Sequence, residues 1–164
     1  MVVREVFLSP IFYLLSSVFF FSHLAVAEDW ARALAPWSWQ FPRDYGAHPE
    51  FKTEWWYLTG NLDDEQGNPY GYELTFFRHG LQPTPAQTNS AWAVRDVYFA
   101  HLAVTDVRSG KFHFSEKISR GAFQEAGCSV KDLNVHLGNW TLRREPDSRL
   151  VFSAFDTEIG RAHV

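Results

Sequence analysis

The chain reads as an all-β protein, an antiparallel meander that closes into a barrel or half-barrel. Two observations carry that reading. Segments rich in β-branched and aromatic residues recur at short spacing, joined pairwise by turns of Asp, Asn, Gly, Pro and Ser into three hairpins. No later segment carries the period of an amphipathic helix. Closure follows because the open edges of a sheet are a liability. The 164 residues are 46% hydrophobic, 17% aromatic and 21% charged, a composition of a folded domain rather than of disorder. A net charge of −4 with a pI near 5.9 supplies no basic surface for phosphate backbones, so nucleic acid is not an expected partner.

The N-terminus reads as an export leader. A charged start at Arg4, an apolar run over 6–21 and the small-x-small signal Ala25-Val26-Ala27 form a secretory signal peptide over 1–27, with the mature chain beginning at Glu28. That places the protein in the periplasm or outside the cell. No stretch of the mature chain approaches the about 20 apolar residues that a helical span needs. Cys128 is the only cysteine, so no internal disulfide forms.

Residues 28–52 contain Pro and aromatics without a sustained period and read as an extended arm that lays rings against a sheet. A β-domain over 53–157 follows. Strands are expected over 54–62 and 70–78, joined by the polar turn at 63–68, and the Pro-bearing segment 81–89 is a loop at a mouth of the barrel. Strands over 94–104 and 111–119 make the second hairpin across Asp106-Val107-Arg108-Ser109-Gly110. Residues 120–131 are expected to be irregular or to hold one short helical turn. Strands over 134–144 and 150–155 make the third hairpin across Glu145-Pro146-Asp147-Ser148.

The candidate chemistry concentrates near 48–62. Alternation puts Trp55 and Tyr57 on one face of the first strand, with Glu54, Trp56 and Leu58 on the other. On the second strand Tyr72, Leu74, Phe76 and Arg78 share a face opposite Glu73, Thr75, Phe77 and His79. On the third, Val97, Phe99, His101 and Ala103 oppose Asp96, Tyr98 and Leu102. Glu54, Glu73, His79 and His101 among aromatics form a set that can protonate or orient a ligand, because a carboxyl in apolar surroundings is a usable acid. Outward polar positions and ordinary core packing are the alternatives for these residues and for the aromatics. His48, beside Pro49, reads as shaping a loop. The histidines lack metal-ligand spacing, the acidic turn at 63–65 lacks the length of a calcium loop, and no nucleophile elbow or glycine-rich phosphate loop occurs. No metal or cofactor is expected.

The segment Phe41-Pro42-Arg43-Asp44-Tyr45-Gly46-Ala47-His48-Pro49-Glu50-Phe51-Lys52-Thr53-Glu54-Trp55-Trp56-Tyr57-Leu58-Thr59-Gly60, followed by Gly71-Tyr72-Glu73-Leu74-Thr75-Phe76-Phe77-Arg78, resembles the secreted branch of the AttH and carotenoid 1,2-hydratase (hydroxyneurosporene synthase) family. The resemblance implies two successive lipocalin-like barrels, of which this chain holds the N-terminal one, with a missing C-terminal lipocalin-like domain as its partner. It also implies a hydrophobic ligand and, for the hydratases, water addition to an isolated C=C bond. That reaction needs an acid, for which Glu54 and Glu73 are the candidates. It also needs a lining that tolerates a carbocation, and aromatic faces stabilise a cation by about 0.5–2 kcal/mol each. Trp55, Trp56, Tyr57, Tyr72, Phe76, Arg78 and His101 are the candidate ligand contacts. The acid/base run proposed for the hydratases belongs to their second half and does not occur here, so this fragment alone is expected to be inactive.

Three readings follow: an exported module binding an isoprenoid or lipid-like ligand, part of a hydro-lyase or secreted hydrolase, and a structural or interaction β-domain. Ile159-Gly160-Arg161-Ala162-His163-Val164 matches a translated sequencing adapter, so 158–164 is expected to be a non-native tail and the natural frame to continue. Sequencing the genomic locus past the codon for Glu158 is expected to show an open frame encoding a second β-rich domain; a stop codon directly after Val164 would contradict this.

Overall fold

A computed structural model of the chain describes residues 30–84, 90–156 and 160–163. The expected leader over 1–27 and residues 85–89 of the loop over 81–89 lie outside the described residues. Among the described residues nine strands run in chain order: β1 (Thr53–Asp63), β2 (Pro69–Gly80), β3 (Asp96–Asp106), β4 (Lys111–Arg120), β5 (Ala126–Cys128), β6 (Asn134–Leu137), β7 (Trp140–Arg144), β8 (Leu150–Asp156) and β9 (Gly160–His163). They form two antiparallel meanders, β1-β2-β3-β4 and β5-β6-β7-β8-β9. The two sheets face each other as a half-barrel; β1 and β9 have no pairing partner beyond β2 and β8 among the described residues. A 3-10 turn at Arg43–Tyr45 is the one helical element among them, and none of their helices is long and apolar enough to cross a membrane.

The turns hold for local reasons. Between β1 and β2, the Asp64 carboxylate accepts the main-chain N–H groups of Gln66 and Asn68 at 2.9 and 2.8 Å, and Gly67 supplies φ +79°. Between β3 and β4, Asp106 does the same for Arg108 and Ser109 at 2.9 and 3.0 Å, with Gly110 at φ +69°.

Two details depart from the sequence reading. Residues 134–144, read as one strand, are β6 and β7 folded back on each other, Leu137 pairing with Trp140. The two-residue turn Gly138-Asn139 takes Gly138 to φ +58°, which glycine adopts without steric cost. The segment 120–131 holds the short strand β5 rather than a helical turn, paired with β6 through Ala126, Gly127 and Cys128.

The space between the sheets is filled. Leu74 and Phe76 of β2 and Ala100 and Leu102 of β3 meet Val135 and Leu137 of β6, Trp140 and Leu142 of β7, and Phe152 and Ala154 of β8, all buried. The Trp140 indole donates to the Phe155 carbonyl at 2.8 Å, so its one polar atom is satisfied inside the core. Truncation at this position removes the largest fully buried side chain. Trp140→Ala is expected to lower the unfolding free energy by about 3–5 kcal/mol, read from the urea midpoint at constant m-value. A loss below about 1 kcal/mol would mean that the two sheets do not pack through this residue.

Candidate functional site

The arm ends as a clamp on the inner face of β1 and β2. Register places Glu54 opposite Arg78, and Arg78 opposite Tyr98, so an acid and a guanidinium lie side by side at one end of the four-stranded sheet. Arg78 is fully buried. Its Nη1 donates to Asp96 Oδ1 at 2.9 Å, and its Nη2 donates to the carbonyls of Phe51 and His48 at 2.7 and 3.1 Å. Its Nε lies 3.5 Å from Glu54 Oε2. Arg95 adds a hydrogen bond to the Pro49 carbonyl at 2.7 Å. The end of the arm is thus fastened through its main chain.

Its side chains lock the same corner. The main-chain N–H of His48 donates to Glu54, 2.9 Å to Oε2 and 3.1 Å to Oε1, and its Nδ1 lies 2.6 Å from Oε1. His48 Nε2 lies 3.3 Å from Asp44 Oδ1. Asp44 also accepts from Arg43 Nη1 at 2.7 Å, from the Trp37 indole at 3.0 Å and from the main-chain N–H of Gln40 at 2.7 Å. The Arg43 guanidinium, and after it the Trp37 indole, hold the Asp44 carboxyl well below the usual carboxylate range. Gly46 lies so close to the loop after β5 that an added Cβ would sit 2.8 Å from the Ser129 carbonyl oxygen, while Ala47 N–H donates to that oxygen at 2.7 Å. Across the inner face, Tyr98 Oη and Cys128 Sγ lie 3.5 Å apart, and burial pushes both groups up in pKa.

A cavity of about 320 Å³ opens beside this corner along the free edge of β1. Trp39, Tyr45, Trp56, Leu58, Leu142 and Leu150 give it apolar walls, and His48, Glu54 and Asp44 form its polar end. Trp56 is fixed by its indole N–H donating to the Tyr45 carbonyl at 3.0 Å. A second hollow of about 450 Å³ lies under the arm between residues 32 and 37 and shares Trp39 and His48 with the first.

The structure divides the residues singled out in the sequence. Glu54, Trp56, Tyr72, Phe76 and Arg78 lie on the inner face; Phe76 is core, and Tyr72 stacks on Phe152 with centroids 5.2 Å apart. Trp55 and Tyr57 are outward and exposed, though their edges reach the cavity along β1. Glu73 and His101 are on the outer face, where His101 packs between Phe77 and Phe114 at 5.3 and 5.6 Å. The set Glu54, Glu73, His79 and His101 is therefore not one lining. Asp44, His48 and Asp96 belong to the site although the sequence reading does not make them site residues; His48, read as shaping a loop, carries the visible signal in its His-Pro segment. No group of metal-ligating side chains occurs among the described residues.

Comparison with known proteins adds two findings. The family model described as AttH-like matches residues 32–162. A 2.00 Å crystal structure of a Nitrosomonas europaea protein, assigned provisionally as an AttH, is similar at 32% identity and a TM-score of 0.61, over 77% of this chain and 37% of that one. The chain thus spans little more than a third of that protein's length. No curated protein matches it.

The depressed Asp44 carboxyl gives a pH prediction. A carboxyl with a lowered folded pKa contributes stability that is present above its unfolded value, 3.8, and lost as pH falls through the folded value. Asp44→Asn is expected to melt below the wild type at pH 7, with the gap closing as the pH is taken below about 4. Parallel melting curves at every pH would contradict the clamp.

Proposed function

The chain belongs to the AttH-like family, and from that premise we propose that it is an exported lipocalin-like module that binds a hydrophobic, isoprenoid- or lipid-like ligand in the cavity along β1. The observation that carries this reading is the cavity itself. Its volume of about 320 Å³ lies at the lower end of the range for small-molecule sites, and its apolar walls with one polar corner are the usual make-up of such sites. An apolar chain would lie along Trp56, Leu58 and Leu142, with a hydroxyl or carbonyl toward the corner at His48.

Part of a hydro-lyase is the second reading, and it asks more of the residues. Protonating an isolated C=C bond needs a donor aimed into the cavity. Glu54 spends its oxygens accepting from His48, and Glu73 is on the opposite face of the sheet. Binding is the reading the geometry favours.

Titration with retinol and with oleate, followed by quenching of tryptophan emission, tests it. At least one probe is expected to saturate with a micromolar dissociation constant. Trp56→Ala is expected to weaken it by about tenfold or more, equivalent to about 1.4 kcal/mol, with Trp56→Phe intermediate and Glu73→Gln unchanged. If neither probe binds, or if Trp56→Ala binds as well as the wild type with an unchanged circular dichroism spectrum, the reading fails.

A further inference from the structure

Strand β4 is built inside out. Lys117 faces the opposite sheet, its ammonium 5.2 Å from the Trp140 ring centroid, and His113, Ser115 and Ser119 share that direction. Phe112, Phe114 and Ile118 point the other way and are 64%, 53% and 71% exposed. A slip of one residue would exchange the two sets, yet the pairing with β3, Ala103 to Phe114 and Phe99 to Ile118, holds the apolar set outward. The same outer face carries Trp55 and Tyr57 of β1, 62% and 54% exposed. The register row Trp55, Phe77, Phe99, Ile118 crosses all four strands. An antiparallel sheet normally turns a polar face to water.

We infer that this face is the contact surface for a second copy of the chain, packed sheet on sheet about a twofold axis. Two properties fit that occupant. The exposed rings and Ile118 offer on the order of 600 Å² of apolar surface, at the top of what a typical monomer exposes; with the half-buried rows between them this approaches the roughly 800 Å² per partner of a standard interface. Polar groups are also arranged self-complementarily, a guanidinium and an imidazole at one end and carboxylates at the other. His79 and Arg120 lie beyond the Trp55 row at one end, and Glu116 and Glu73 lie toward the other. A twofold axis across the strands lays His79 and Arg120 of one protomer over the acidic end of its mate and stacks the aromatic band on itself, as an isologous contact requires.

Light scattering on the purified protein at about 50 μM, far above a micromolar dissociation constant, is expected to return twice the mass of one chain. The double variant Trp55→Ser with Ile118→Glu changes two outward side chains and is expected to be a monomer with unchanged circular dichroism. Glu73→Arg is expected to weaken the dimer about tenfold through like-charge contact, and adding His79→Glu to it restores association. A monomeric wild type overturns the inference, including one that associates with phosphatidylcholine vesicles through this face instead. So does a double variant that still dimerises. Trp55 also edges the β1 cavity, but association is read here from mass rather than from ligand binding, so ligand binding can fail while this inference stands, and the reverse.

Discussion

The buried guanidinium of Arg78 is the constraint on which the rest of the structure hangs. At 1% exposure it has no water to solvate it, and an isolated charge in that position would cost several kcal/mol. Asp96 and Glu54 supply the opposite charge, and the carbonyls of His48 and Phe51 accept from Nη2, while Nε faces Glu54 without a hydrogen bond. Those carbonyls are offered only when the arm turns back over the end of the sheet. Burial of one cation therefore requires three separate segments, β1 with β2, the start of β3 and the end of the arm, to meet at one corner. In such a cluster the loss of one partner is the costly change, about 3–5 kcal/mol, because it strands the others without water.

A second set of contacts is layered on the first. Once the arm is held by its carbonyls, His48 falls between Glu54 and Asp44, and Asp44 gathers Trp37, Arg43 and the Gln40 N–H into a tight loop. The arm residues that then line the cavity, Trp39 and Tyr45, belong to this loop or adjoin it. The order of dependence runs from the buried cation to the arm, and from the arm to the cavity wall.

The sequence made the strand pairs legible because the alternation and the turn residues of 53–80 and 96–120 agree with each other. What alternation cannot supply is the sign of each face. It grouped Glu54 with Trp56 and Arg78 with Phe76, but only the packing against β6 to β8 shows that these groups point inward. On β4 the preference is reversed outright, and a hydrophobicity rule would have turned Phe112, Phe114 and Ile118 to the core. The Gly138-Asn139 turn carries a readable hairpin signal, but β-formers on both sides of it let 134–144 read as one strand. Strand β5, three small residues long, has no signal of its own and exists because β6 presents an edge. His48 reads as a loop residue because its partners, Asp44 four residues before and Glu54 six residues after, carry no regular period; the fold of the irregular arm brings them together.

The filled space between the sheets decides where anything else can bind. Trp140, Phe152, Phe76 and Leu102 occupy the volume that an open barrel would offer a ligand, and displacing any of them would forfeit core packing. The β1 cavity lies instead where the half-barrel is unsealed, along the free edge of β1, with one wall from the strand, one from β7 and β8 and a third from the arm. Because the arm supplies both that third wall and the polar corner at His48, its docking and the shape of the cavity are one property. A change that loosens Asp44 therefore acts on the cavity twice, directly at its polar end and through the position of Trp39 and Tyr45.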